Sequence, residues 1–279
     1  MLKTRCCALA LALCAAGAIQ TAQAGDIVKD IAYGPDPAQR LDVYKPAAPR
    51  DGAAPVIVMV HGGGWRVGDK SNSRVVGNKA EHFLAQGFVF ISVNNRLVPD
   101  ADPVQQADDV AAALAFAQGK AHDWGGDPDK FILMGHSAGA HLVALVSADP
   151  ARALNKGARA WRGTVSLDSG AYDVPAIMGQ RHFRLYDQAF GADPAFWRAA
   201  SPLYQLKTGA PPMLLVCSSK RVIACPESQR FAEAAKAKGV RADVLPEDLS
   251  HGAINAELGL PGAYTESVDA FIADRLTHS

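Results

Sequence analysis

Ser137 stands in Gly135-His136-Ser137-Ala138-Gly139, after the apolar run Phe131-Ile132-Leu133-Met134 and before the helical pattern His141-Leu142-Val143-Ala144-Leu145-Val146. Glycine two residues to each side of a serine, between a strand and a helix, is the pattern of a nucleophile elbow. The turn is so tight that side chains at Gly135 and Gly139 would collide with neighbouring backbone. It lifts the hydroxyl above the sheet edge, at a helix N-terminus whose free N–H groups favour developing negative charge. A plain Gly-rich turn is the alternative, and the strand before and helix after argue against it. A second motif, His61-Gly62-Gly63-Gly64-Trp65, follows the apolar run of residues 55–60. Stabilising an oxyanion needs backbone N–H groups aimed at one point, and glycines let a loop bring them close. Gly63 and Gly64, with the N–H of Ala138, are the candidate donors. His61 precedes the glycines and reads as an orienting residue for the loop.

A serine nucleophile needs a base. The chain has eight histidines, and in the elbow architecture the base follows the serine and the acid in chain order. Only His141, His182, His251 and His278 follow Ser137. His141 lies on the elbow helix, facing down into the packing or sideways, His182 falls in an aromatic-rich stretch, and His278 is the penultimate residue. His251, in a polar segment read as a loop after the last strand, can reach Ser137 across the sheet edge.

The elements that must hold these groups alternate. Residues 26–44 read as an antiparallel hairpin around Gly34-Pro35-Asp36-Pro37, apolar runs at 55–60, 88–94, 131–134 and 212–217 read as buried strands, and 163–168 and 240–245 also read as strands. Helical patterns fall at 75–86, 104–117, 141–146, 227–238 and 263–276, and residues 175–208 read as an insertion of short helices. The aromatics of that insertion read as small-core packing in preference to a substrate wall. Arg96 reads as the partner of Asp108 or Asp109. The expectation is a mostly parallel sheet with helices on both faces and the antiparallel hairpin at its N-terminal side.

The 49% hydrophobic content is ordinary for a globular chain, and a net charge of +0 argues against nucleic acid or an acidic polymer held by bulk electrostatics. Lys3 and Arg5, an apolar run over 6–19 and Ala22-Gln23-Ala24 read as a secretory signal peptide over residues 1–24, leaving one domain over 25–279. The apolar run is short for a membrane span, so no stable insertion is expected once it is cleaved. The protein is expected to be periplasmic or secreted. Cys217 and Cys225 are the cysteines left, and in an oxidising compartment they suggest a disulfide worth about 2–3 kcal/mol by chain entropy. Nothing in the sequence speaks to oligomeric state.

With the His-Gly-Gly-Gly-Trp loop, Asn95-Arg96-Leu97, Gly-His-Ser-Ala-Gly and His251 together, the chain resembles the α/β-hydrolase esterases. It is most similar to the group that holds acetylxylan and feruloyl esterase-like domains and kynurenine formamidase-like proteins. Residues 251–265, with Ile254-Asn255, Leu258-Gly259 and Tyr264-Thr265, resemble that group's C-terminal signature. The resemblance implies Ser137 as nucleophile, His251 as base, and Gly63, Gly64 and Ala138 as the oxyanion hole. It implies no cofactor and no metal, and a small-molecule or glycan ester as substrate. The pattern breaks at the acid, which the triad needs to fix the imidazole tautomer. In the group the acid follows the penultimate strand, at a position that falls on Val222 here, and residues 218–224 carry no carboxylate but Lys220 and Arg221. Three readings stay open: Asp168 one strand earlier, a placement that resembles pancreatic lipase; one of Asp173, Glu227, Glu247 or Asp248; or no acid. The expected activity is hydrolysis of carboxylic esters. An aryl formamidase or amidase, and a degenerate hydrolase fold that binds without turnover, are the alternatives.

Overall fold

The structure is a computed structural model that describes residues 24–47 and 52–277. Apart from Ala24, the segment read as a signal peptide lies outside the described residues. Eight strands form one sheet: β1 (Ala24–Ala32), β2 (Arg40–Pro46), β3 (Ala54–Val60), β4 (Val89–Val93), β5 (Gly126–His136), β6 (Gly163–Leu167), β7 (Met213–Ser218) and β8 (Ala242–Glu247). Their order is β1-β2-β4-β3-β5-β6-β7-β8. The β1–β2 and β2–β4 pairs are antiparallel and the rest parallel. This is the expected α/β-hydrolase architecture with its N-terminal hairpin.

The apolar runs become strands because both faces of the sheet are covered. Every residue of β3, β4, β6 and β7 is buried, as strands covered on both faces of such a sheet are. The pleat sorts them. Val56, Val58 and Val60 pack with Ile91, Leu133, Leu114 and Leu142 on one face. Ile57 and Met59 pack with Phe90, Ile132, Phe83 and Phe271 on the other. The first face lies under the helices Pro103–Lys120 and Ala138–Ala148, the second under Ser73–Ala85 and Ala263–Thr277. Asp102 starts Pro103–Lys120 with a capping box, its side chain accepting from the N–H groups of Val104 and Gln105.

The strand before the elbow is longer than the apolar run that announces it. β5 begins at Gly126, because Ala54 pairs with Gly126 beyond a register shift. The insertion holds four short helices between Val174 and Gln205. Since β3, β5, β6, β7 and β8 run parallel, the chain leaves all five at one edge. The glycine loop, Ser137, Asp168, residues 219–224 and His251 each follow one of these ends, where ligand sites of such sheets gather.

Candidate active site

Ser137 links β5 to the helix Ala138–Ala148 with φ 55° and ψ −116°. That region is unfavourable for a side chain, and the surroundings enforce it. A Cβ on Gly135 would come 2.4 Å from the Gly139 carbonyl oxygen, and one on Gly139 would come 2.3 Å from that of Val60. The Ser137 N–H donates to the Leu167 carbonyl (3.0 Å), and its side chain makes no helix-cap bond. The hydroxyl is free to turn outward, and its Oγ lies 2.9 Å from His251 Nε2.

His251 Nδ1–H donates to Asp168 Oδ2 at 2.5 Å. Of the carboxylates open in the sequence, Asp168 is the one against the imidazole. Asp173 caps the helix Val174–Met178 and pairs with Arg230, Glu227 also pairs with Arg230, and Asp248 faces Lys220. Asp168 follows β6 as Ser137 follows β5, from the paired residues Leu167 and His136, and it too has a positive φ, 58°. Its side chain is fully buried. Burial pushes its carboxyl up, but hydrogen bonds from His251, the Ser218 N–H and Arg221 outweigh this and hold it below the usual range. Oδ1 accepts from the Ser218 N–H (2.8 Å), and Oδ2 also accepts from Arg221 Nη1 (2.8 Å).

His251 is not in a loop. It opens the helix His251–Glu257, whose N-cap Ser250 accepts from the Ala253 N–H. A serine at N-cap was the available sequence signal, but only a two-turn helix follows it. The His136 ring lies 4.5 Å from the His251 ring, and its Nε2–H donates to the His251 carbonyl (2.9 Å). Burial, helped by His251, pushes the His136 pKa down to about 3, so it is a neutral donor. Ser218 Oγ–H donates to the Leu249 carbonyl (2.6 Å), so one residue touches both the acid and the approach to the base. Lys79, buried and pushed down to about 7 by that burial, donates to the Asn255 carbonyl and ties the helix of His251 to Ser73–Ala85.

The glycine loop turns where the sequence placed it. Gly63 and Gly64 have φ 129° and 59°, and a Cβ on Gly63 would come 1.9 Å from the Val67 carbonyl oxygen. Gly64, Trp65 and Ala138 line a cavity of about 830 Å³ with Ser137, Asp168, Arg221 and His251; Gly63 is not among its lining residues. His61 is buried and donates from Nδ1 to the Gly62 carbonyl (2.8 Å), as an orienting residue would. His141 is buried as expected. It donates from Nε2 to the Ala200 carbonyl (2.7 Å), and its Nδ1 accepts from the Trp65 indole (3.1 Å). That ring joins the glycine loop, elbow helix and insertion, and burial pushes its pKa down to about 4. The insertion's aromatics divide. Tyr186 and Phe190 pack on Trp65, whereas Phe183 stands exposed on the cavity wall. Arg96 pairs with Asp109, and Cys217 and Cys225 form the disulfide. Among the described residues no cluster of potential metal ligands occurs, and no helix is long and apolar enough to cross a membrane.

The BD-FAE family model matches residues 41–234, a span that holds the glycine loop, Ser137 and Asp168 but not His251. The isoprenylcysteine alpha-carbonyl methylesterase of Arabidopsis thaliana is 30% identical over 274 residues, covering 88% of this chain and 61% of that protein. Esterase LipC of Mycobacterium tuberculosis is 30% identical over 223 residues, covering 74% of this chain and 54% of its own. The chain spans less than two thirds of the length of these curated relatives. A truncated carbohydrate esterase from gut microbiota superposes with a TM-score of 0.75 at 17% identity, covering 94% of this chain and 99% of that one. Propionate-bound esterase 2 of Thermogutta terrifontis gives 0.70 at 23%, covering 94% and 97%. At these identities the likeness is one of fold.

Proposed function

The chain belongs to the BD-FAE family, and from that footing we propose that it is a serine hydrolase of carboxylic esters that works through an acyl-enzyme. The observation that carries the proposal is the unbroken relay from Ser137 Oγ to His251 Nε2 and from His251 Nδ1 to Asp168 Oδ2, at 2.9 and 2.5 Å. Ser137 Oγ attacks the acyl carbon as its proton passes to His251 Nε2. The carbonyl π pair moves onto oxygen, where the N–H groups of Ala138 and Gly64, both on the cavity wall, stabilise it; one such donor is worth about 10²–10³ in rate. Collapse breaks the bond to the alcohol oxygen, which takes the proton back from His251. Water then repeats the sequence on the acyl-enzyme. Asp168 holds the tautomer that leaves Nε2 free and stabilises the imidazolium. That relay argues against the inert binder, whose motive was the missing acid at Val222.

The substrate we propose is an ester of a small acyl group with an apolar portion beside it. Phe183, Leu185, Val222 and Ile223 line the mouth of the cavity and are all exposed, Val222 at 91% and Phe183 at 75%. Exposed apolar side chains gathered at one opening are a binding surface for apolar matter. The relative named an isoprenylcysteine alpha-carbonyl methylesterase acts, by that name, on an ester whose molecule bears an apolar isoprenyl group, which agrees. Ester-decorated sugars remain within the proposal. We further propose export through residues 1–24, which the disulfide supports, since such bonds persist in oxidising compartments. N-terminal sequencing of the protein from fractionated cells tests this.

The decisive experiment compares wild type with Ser137→Ala on p-nitrophenyl acetate and butyrate, alongside a fluorophosphonate probe. Wild type should turn over both esters and take the label, and Ser137→Ala should do neither. Equal turnover by the two proteins, or an unlabelled wild type, would end the proposal.

A further inference from the structure

The loop that lacks the group's acid is not idle. Residues 219–224 follow β7, and Cys217 and Cys225 close them, with Ser218, into a ring. The ring is tight: the Arg221 N–H donates to the Ser218 carbonyl (3.1 Å) and the Ala224 N–H to that of Arg221 (3.3 Å). It is fastened to the strand beside it, because the Ser219 N–H donates to the Glu247 carbonyl (2.9 Å). From this ring Arg221 reaches back toward β6. Its Nη1 donates to Asp168 Oδ2 at 2.8 Å and to the Asp168 main-chain oxygen at 3.1 Å, and lies 3.3 Å from His251 Nδ1. Gripping a carboxylate and the carbonyl of the same residue fixes the side-chain torsions between them. Asp168 needs that grip. Its backbone is held at positive φ, its side chain is fully buried, and its other oxygen has one N–H partner, from Ser218.

Resting on the hydrolase reading above, we propose that Arg221 is a positioning residue: it aims the Asp168 carboxylate at His251 Nδ1, so the loop without an acid holds the acid that stands one strand away. The cation has a cost, since it stands close to where imidazolium charge develops. Its net benefit therefore lies in geometry and in keeping the buried carboxylate ionised. A single nitrogen makes all three approaches. A lysine ammonium placed there can replace part of the effect, and a neutral side chain of similar length cannot. The guanidinium is partly exposed and lines the cavity, so a small cation can enter from solvent once the side chain is removed.

The test uses the full-length protein, with active sites counted by fluorophosphonate so that misfolded molecules drop out. Arg221→Met should lower kcat on p-nitrophenyl acetate by about 10- to 100-fold, the worth of one hydrogen bond to a charged group, with KM within about threefold. Arg221→Lys should recover part of that loss. Arg221→Gly should regain turnover in millimolar guanidinium chloride and not in equal urea. A kcat per titrated site within twofold of wild type in Arg221→Met overturns the assignment and leaves Arg221 a structural counter-ion. A loss carried by KM alone overturns it too, making Arg221 a substrate contact, as does a kcat loss that neither lysine nor guanidinium repairs. If wild type itself is inert, the hydrolase reading has failed; if wild type is active and Arg221→Met matches it, only this proposal has.

Discussion

Ser137 and Asp168 end neighbouring strands, each with a backbone angle that side chains avoid, and strain of this kind persists where the surroundings over-determine it. Asp168→Asn keeps the shape but removes the acceptor that fixes the tautomer. Its kcat should fall about 10⁴-fold, while Asp173→Asn and Asp248→Asn stay within about threefold of wild type; steady-state rates per titrated site check this. Ser137 and His251 were legible in the sequence because flanking glycines and chain order restrict them. Asp168 was one of five carboxylates, because nothing local says which strand end faces a histidine 83 positions away. Arg221 was visible only as a charge of the wrong sign. Its meaning depends on β6 and β7 being neighbours, which is a property of the sheet.

At the scale of elements, β3, β4, β7 and the end of β5 announced themselves by apolar runs, because a strand covered on both faces has few polar positions to blur it, whereas β8, part-buried at the sheet edge, alternates. The helix of His251 did not: Ile254 and Asn255 are its buried residues, too few for a period. The ring between Cys217 and Cys225 is the element most open to manipulation. Cys217→Ser with Cys225→Ser removes a constraint worth about 2–3 kcal/mol by chain entropy. It also frees both Ser218 and Arg221, which hold Asp168. The double variant should melt lower and, below its melting range, turn over esters more slowly per titrated site. Calorimetry and rate together check this, and a lowered melting temperature with unchanged rate would show that the ring serves stability alone.

Across the whole molecule, acidification works against the fold. His136 and His141 are pushed by burial to about 3 and about 4. The unfolded chain binds their protons near the ordinary value of about 6.5 while the folded chain refuses them, so stability falls as pH drops below that value. Asp168 acts the same way lower down, losing its contribution as pH falls through its depressed folded value. Glu227 and Glu247, raised by burial, lean the other way around the ordinary carboxylate range. The melting temperature should therefore decline from pH 7 to pH 5, the interval in which the two buried histidines would take up protons on unfolding, and a flat profile over that interval would contradict the account. Nucleophile and acid stand at the tips of paired strands, whereas the imidazole rides on a short helix beyond the rim of the sheet. Warming should therefore silence the protein in two stages: first a reversible loss of turnover as the imidazole drifts from its two partners, then collapse of the sheet at a higher temperature.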